Sequence, residues 1–93
     1  MIEDRLATLL KAAGRAHHAA YAATDGADPE WPIWYTDHII DEARGVLDVP
    51  GLTKSQLIAA LVDADLAYQE QHPDQAWWEF YADVFALRLG RRS

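Results

Sequence analysis

The side chains that could do chemistry in this sequence are concentrated between His17 and His38. Histidine transfers protons near neutral pH and binds ligands, and aromatic rings either stack on small molecules or fill a core. The segment 28–39, DPEWPIWYTDHI, also places two prolines among two tryptophans and a tyrosine. A candidate small-molecule site, with a catalytic role left open, would comprise His17, His18, Tyr21, Trp31, Trp34, Tyr35 and His38.

The histidines favour hydrogen bonding over metal binding. Metal sites in helical bundles typically use repeated Glu-x-x-His motifs, and the sequence contains neither that motif nor His-Glu-x-x-His. Cysteine is absent, which excludes disulfides and thiol chemistry. We therefore predict no metal and no cofactor. An acid–base pair of His17 or His38 with Asp65 or Glu42 stays open, because sequence does not fix their distances.

Sequence motifs for other kinds of catalysis are missing. The chain has no Gly-x-Ser-x-Gly elbow, phosphate-binding loop or dinucleotide fingerprint. Its two serines, Ser55 and Ser93, lie in a predicted first helical turn and at the last position, so neither resembles a nucleophile. We therefore assign no catalytic residue, and the sequence leaves open whether the protein is an enzyme.

Four amphipathic helices are predicted to position these residues, and no segment favours a strand. Apolar residues recur at helical spacing over 2–23, about 32–47, 54–71 and about 74–89. The links TDGAD, DVPGLT and HPD separate these segments, and Gly26 is expected to stop the first helix. Thr53 followed by Gln56 has the form of a capping box for the third helix. The prediction is one all-α domain over residues 1–93, a four-helix bundle or a closely related helical array.

The apolar stripes also predict which side chains face the core. His17 continues the apolar line of the first helix, so we expect it to point inward. The inward sets of the other helices include Ile33, Val62 and Leu87. Aromatic residues at this spacing are interpreted mainly as core that closes the end of the bundle. A ligand-facing role and an oligomer interface are the alternatives.

The two prolines of DPEWP predict a turn that leads into the second helix. Asp28 can cap the helix, Pro29 can start the turn, and Pro32 can occupy the first helical position.

A shift of 46 residues aligns the start of the second helix with the start of the fourth. The identical pairs are Asp28 with Asp74, Trp31 with Trp77, Tyr35 with Tyr81, and Asp37 with Asp83. These identities indicate two pseudo-repeated helical hairpins packed around a pseudo-two-fold axis, with chance coincidence as the alternative. The histidines do not follow the repeat.

The segment 16–40, AHHAAYAATDGADPEWPIWYTDHII, resembles a motif of small all-helical bacterial proteins of unknown function. That motif has a His-His or His-Gly pair, an aromatic residue, a short acidic link and then Asp-x-Trp-Pro/Trp-x-Trp-Tyr. The resemblance implies a helical module and carries no activity, substrate or catalytic residue. His38 departs from the pattern, since an aromatic residue is expected at that position.

The charge balance limits the partners. With 15 acidic and 8 basic residues the formal charge is −7, which repels phosphate backbones and argues against nucleic-acid binding. The C-terminal run RLGRRS, with Arg88, Arg91 and Arg92, is expected to complement the negative end of the last helix. The first residues are acidic and no apolar run reaches membrane-spanning length, so we expect no membrane partner and a cytoplasmic location.

Two functions from different classes follow. The favoured interpretation is a non-enzymatic helical domain that acts by self-association, as a homodimer for example, or by binding another protein. Its basis is the surplus of apolar and aromatic residues in a chain of 93 residues. The alternative is a small-molecule-binding or catalytic site at the junction of the first and second helices.

Overall fold

A computed structural model of the protein describes residues 2–24 and 28–90, and these residues form four α-helices, one short 3₁₀-helix and no strand. The α-helices are α1 (Ile2–Ala20), α2 (Trp31–Leu47), α3 (Lys54–Gln71) and α4 (Trp77–Leu89), and the 3₁₀-helix spans Ala22–Thr24. They pack in a ring, in which α1 and α3 each lie against both α2 and α4. The predicted all-α four-helix bundle is confirmed.

Every helix contributes a stripe of buried apolar side chains to a shared core. Positions three or four apart lie on one side of a helix, so each stripe follows the helical period. The core comprises Leu6, Leu10, Ala13, Ile39, Ile40, Ala43, Leu47, Leu52, Leu57, Ala60, Leu61, Ala64, Tyr81, Ala82 and Phe85. His17 continues the stripe of α1 and is only 7% exposed, so its predicted inward position is confirmed.

Three side chains that we expected in the core are exposed instead. Val62 and Leu87 are 36% and 71% exposed, because they project from the sides of α3 and α4 opposite the buried stripes. Ile33 is 48% exposed and lies at the margin of the α2 stripe, about 80° around the helix from Ala43. The expectation was wrong because apolar residues occur on more than one side of these helices.

The DPEW segment forms a turn before α2 begins. The Trp31 N–H donates to the Asp28 carbonyl at 3.2 Å, which closes a turn with Pro29 at its second position. Glu30 is the N-cap and makes no side-chain cap hydrogen bond, while Pro32 is the second helical residue. We expected Asp28 to be the cap and Pro32 to be the first helical residue. The first prediction was therefore wrong by two residues and the second by one. The Asp28 carboxylate instead accepts the Glu30 N–H at 3.0 Å.

Both ends of α3 follow their sequence signals, whereas α1 ends at Ala20 instead of about Ala23 and α4 begins at Trp77 instead of about Asp74. The Gln56 N–H donates to Thr53 Oγ1 at 3.1 Å and the Thr53 N–H donates to Gln56 Oε1 at 2.9 Å, so the capping box of α3 is confirmed. Asp48 and His72 end α2 and α3 in the left-handed region, with φ of 57° and 47°. The stop predicted at Gly26 lies outside the described residues, as do Arg91 and Arg92.

The helix starts agree with the proposed repeat. Trp31 and Trp77, which are equivalent under the shift of 46 residues, are the first residues of α2 and α4. Repetition of the entire hairpins stays a prediction. Within residues 2–24 and 28–90, no helix combines the length and apolar character needed to cross a membrane.

Candidate functional site

A cavity of about 380 Å³ lies toward the end of the bundle where α1 and α3 finish and α2 and α4 begin. Its described lining consists of His17, Asp28, Trp31, Tyr35, Leu61, Asp65, Trp77 and Tyr81. The residues from α2, α3 and α4 are pairs four apart, which places each pair on one side of its helix. The cavity is therefore built by all four helices together with the turn before α2.

Four aromatic rings form a continuous wall of this cavity. The ring centroids of Trp31 and Tyr35 lie 5.9 Å apart, those of Tyr35 and Trp77 6.1 Å, and those of Trp77 and Tyr81 5.2 Å. The successive interplanar angles are 86°, 88° and 74°. Edge-to-face contacts are favourable for aromatic pairs, so the packing within the wall holds the rings at these angles.

The close fit of Trp77 against α1 depends on Gly14. A Cβ atom at Gly14 would lie 2.7 Å from Cζ2 of Trp77, which is closer than van der Waals contact allows. The indole therefore packs directly on the backbone of α1. Glycine at this position lets the wall reach the first helix.

Asp65 is held in the cavity by two hydrogen bonds. The Tyr81 hydroxyl donates to Oδ1 at 2.9 Å and the Gln69 amide donates to Oδ2 at 2.8 Å. Burial, followed by this hydrogen bond and the nearby Asp65 charge, raises the pKa of Tyr81 well above its ordinary value of 10.0. Tyr81 thus remains a hydrogen-bond donor to Asp65 throughout the neutral range.

The second carboxylate, Asp28, is paired with His17. His17 Nε2 and Asp28 Oδ2 lie 3.1 Å apart, and their side chains are only 9% and 6% exposed. An ionised carboxylate only accepts hydrogen bonds, so the shared proton belongs to Nε2, and in the neutral ring Nδ1 is then an acceptor. The pair also joins the end of α1 to the turn before α2.

Three other residues proposed from sequence lie near the cavity without lining it: Tyr21 and Trp34 contact His17, and His38 contacts Trp34. The Tyr21 ring stacks on His17 with centroids 4.8 Å apart, and the Trp34 ring meets His17 edge-on at 4.9 Å. The exposed His38 stacks on Trp34 at 4.9 Å with an interplanar angle of 13°. Of the seven proposed residues, His17, Trp31 and Tyr35 line the cavity, whereas Tyr21, Trp34 and His38 extend a ring network from it.

The remaining proposed residue, His18, lines a neighbouring groove. The described lining of this groove consists of Lys11, Gly14, Arg15, His17, His18, Tyr35, Trp77 and Trp78. Lys11 Nζ lies 5.2 Å from the centroid of the Trp78 ring, a cation–π contact. His17, Tyr35 and Trp77 line both spaces, so they separate a groove with two basic side chains from a cavity with two carboxylates.

The cavity is suited to binding a small molecule. Apolar and aromatic walls with a few convergent polar groups are typical of ligand sites, and about 380 Å³ is within the range of such sites. The imidazole of His17 could also exchange a proton with a bound molecule. Among the described residues, no group of three or more His, Asp and Glu side chains is arranged to hold a metal ion.

Sequence reasoning missed four of the lining residues: Asp28, Leu61, Trp77 and Tyr81. It named Asp65 only as a possible acid–base partner of His17 or His38, and His17 and Asp65 do line the same cavity. The signal for two of the missed residues was present in the repeat, because Trp77 and Tyr81 are the equivalents of Trp31 and Tyr35. We interpreted the repetition as a sign of core packing, and Tyr81 does lie in the core with Trp31, Tyr35 and Trp77 packed against it. The two copies also lie next to each other on one cavity wall.

Comparison of the chain with family models, with curated proteins and with solved structures finds no match. The resemblance of segment 16–40 to small helical bacterial proteins therefore stays a prediction.

Proposed function

We propose that the protein binds a small molecule in the cavity formed by its four helices. The observation that carries the proposal is the meeting, in one space of about 380 Å³, of four aromatic rings, two carboxylates and a histidine. These groups come from four helices and a turn, so the bundle itself assembles them. On sequence alone, a small-molecule site was the alternative to self-association or protein binding. The site proposed now lies closer to α3 and α4 than the one predicted from sequence.

Burial of polar groups around the cavity supports this function. Burying a carboxylate in a small domain costs free energy that hydrogen bonds only partly offset. Asp28 is nevertheless almost fully buried, and both of its oxygens accept hydrogen bonds on the cavity wall. Replacing a whole buried pair such as His17 and Asp28 by apolar residues is often neutral or stabilising, so a role in binding accounts for its presence.

A fragment screen on the full chain tests the proposal. The four tryptophans give four indole N–H signals in a proton–nitrogen NMR spectrum. Fragments that enter the cavity should shift the signals of Trp31 and Trp77, which line it, more than that of Trp34, which does not.

A matched pair of variants completes the test. Trp31→Ala should weaken the binding of each hit about fivefold or more, because a stacked aromatic ring contributes about 1 kcal/mol or more. Trp34→Ala removes the same side chain from the same helix, outside the cavity, and should leave the affinity within about threefold. A screen in which no fragment shifts Trp31 and Trp77, or hits that are indifferent to Trp31→Ala, would disprove the cavity as the binding site.

A second function, self-association or protein binding, is favoured by apolar side chains on the outer sides of α3 and α4. Leu66 and Leu87 are 58% and 71% exposed, and Val62 lies one turn from Leu66 on the same side of α3. Exposed apolar side chains of this kind are enriched at interfaces.

Light scattering coupled to size exclusion tests this second proposal. A homodimer through this surface should dissociate in the double variant Leu66→Glu/Leu87→Glu and persist in Ser55→Glu, which adds a charge at another exposed position of α3. A protein that is monomeric at all concentrations would exclude self-association, and a dimer that the double variant leaves intact would exclude this surface.

A further inference from the structure

We infer that the ligand of the cavity is a small organic cation, a protonated aliphatic amine or a quaternary ammonium compound. This inference rests on the proposed function and names the chemical class of the ligand. Its basis is the combination of two carboxylates, a wall in which successive aromatic rings stand at 74° to 88° to each other, and the absence of lysine and arginine among the described lining residues.

The charge of the cavity is negative and is not balanced by the described side chains. Asp65 is hydrogen-bonded by the neutral donors Tyr81 and Gln69, and Asp28 by His17 and the Glu30 backbone. None of the lining residues described is lysine or arginine. Even with His17 protonated, one negative charge remains, so a cationic ligand would supply the missing counter-charge.

The carboxylates also retain the capacity to bind the ligand. A carboxylate has about four lone-pair sites. Among the described residues, Asp28 accepts from His17, the Glu30 backbone and the Tyr21 hydroxyl, and Asp65 accepts from Tyr81 and Gln69, so each carboxylate keeps at least one site. The donors that hold these oxygens fix the orientation of the carboxylates before a ligand arrives. An ammonium N–H group can donate to a remaining lone pair, and a quaternary ammonium group can lie beside the charge.

The aromatic wall provides a second, independent source of cation affinity. The face of a tryptophan or tyrosine ring is negative and attracts an organic cation, and several rings at steep angles enclose quaternary ammonium groups. Trp31, Tyr35, Trp77 and Tyr81 stand at 74° to 88° to one another in succession. The rings thus face different directions around one small space.

The neighbouring groove differs from the cavity in the charge of its lining. Lys11 and Arg15 line the groove on the other side of Tyr35 and Trp77, and Lys11 lies over Trp78. The basic side chains of this region are thus kept on one side of the ring wall and the two carboxylates on the other. An anionic ligand would therefore be repelled by the cavity and would find its counter-charge in the groove.

Three small probes of different charge test the inference on the full chain. The cation is choline, the neutral probe is its carbon isostere, in which a quaternary carbon replaces the nitrogen, and the anion is propionate. Affinity is measured by titrating the indole N–H signals of Trp31 and Trp77. Choline should bind at least about tenfold more tightly than the neutral isostere, and propionate should bind most weakly.

Two variants with the same change in charge show whether the carboxylate causes this preference. Asp65→Asn keeps the shape of the side chain and one acceptor for Tyr81, and should reduce the preference for choline to less than about threefold. Asp41→Asn removes a charge from an exposed position of α2 outside the cavity and should leave the preference unchanged. If Asp65→Asn does not fold, the three probes compared on the unaltered chain decide the inference.

The outcomes separate the ligand class from the binding function. If the neutral isostere or propionate shifts Trp31 and Trp77 with equal or higher affinity than choline, the inference is wrong and the small-molecule function stands. A preference that Asp65→Asn leaves unchanged also contradicts the inference. If neither the three probes nor any member of the fragment library shifts these signals, both the inference and the proposed function are disproved.

Discussion

Single residues in this bundle differ in how well their polar atoms are satisfied. The carboxylates of Asp28 and Asp65 each accept at least two hydrogen bonds, whereas the hydroxyl of Thr36, on the fully buried side of α2, has no hydrogen-bond partner among the described residues. A buried hydroxyl without a partner loses its bonds to water and gains none in return. Thr36 is therefore a position where stability can be gained.

Thr36→Val should stabilise the protein by about 1 kcal/mol or more. The change replaces the unpaired hydroxyl by a methyl group and keeps the branched shape that the site already accommodates. Thr36→Ser is the matched control, because it keeps the hydroxyl, loses the buried methyl group and should destabilise by about 1 kcal/mol. Urea unfolding measures both changes. Equal stability of the valine variant and the unaltered protein would mean that the hydroxyl is satisfied in solution.

The raised pKa of Tyr81 predicts a loss of stability at alkaline pH. The unfolded chain ionises this tyrosine near its ordinary pKa of 10.0, whereas the folded protein keeps it protonated to higher pH. The corresponding stability is complete below the unfolded pKa and is lost as the pH rises above it.

This prediction is checked by comparing the free energy of unfolding at about pH 8 and about pH 11, where the expected change is a decrease. Tyr81→Phe removes the ionising group, so its stability should decrease less over the same interval. If the two proteins lose stability in parallel, Tyr81 does not contribute to the alkaline limit. Burial raises the pKa of Tyr35 as well. The free energy of unfolding of Tyr81→Phe should therefore still decrease over this interval, but by less than that of the unaltered protein.

At the scale of the elements, two glycines within helices have opposite surroundings. A Cβ atom at Gly14 of α1 would meet the Trp77 ring at 2.7 Å, whereas a Cβ atom at Gly45 of α2 would have no neighbour within 4 Å. Alanine is more stable than glycine inside a helix, so only contact with other residues can reverse that preference.

Gly45→Ala should stabilise the protein by about 0.5–1 kcal/mol through helix propensity alone. Gly14→Ala should lose that gain and destabilise by about 1–3 kcal/mol relative to Gly45→Ala, because the indole must move away from α1. Thermal unfolding followed by circular dichroism measures both, and the indole signal of Trp77 should shift only in the Gly14 variant. Two alanine variants of equal stability would show that Trp77 does not pack on α1 as described.

The sequence predicted the helices better than it predicted their orientation. The Thr53 capping box and the prolines of the links are local signals, and α3 begins and ends where they indicate. Orientation depends on which apolar face packs inward, and α3 and α4 carry apolar residues on several sides. Val62 and Leu87 were therefore misplaced, while His17, on a helix with one clear stripe, was placed correctly.

Only three of the eight described lining residues were placed in the candidate site from sequence, for a related reason. His17, Trp31 and Tyr35 are close together in the chain, so their clustering is visible in the sequence. Leu61, Asp65, Trp77 and Tyr81 join them only because α3 and α4 complete the ring of helices. Contacts between distant segments depend on packing, and single-sequence patterns do not specify it.

At the scale of the whole molecule, the cavity belongs to no single hairpin. All four helices line it, so its shape depends on the complete bundle. We expect one cooperative unfolding transition, in which near-ultraviolet circular dichroism, sensitive to the packed rings, and far-ultraviolet circular dichroism, sensitive to the helices, give the same urea midpoint. Loss of the near-ultraviolet signal at lower urea would show that the cavity end opens before the rest of the bundle.

The wall formed by Tyr35 and Trp77 has a mechanical consequence. The same two rings bound the acidic cavity on one side and the basic groove on the other. Gly14 leaves the Trp77 ring no spare room toward α1. A movement of Tyr35 and Trp77 that enlarges the cavity therefore makes the groove smaller, and the opposite movement does the reverse. The volumes of the cavity and the groove are thus coupled.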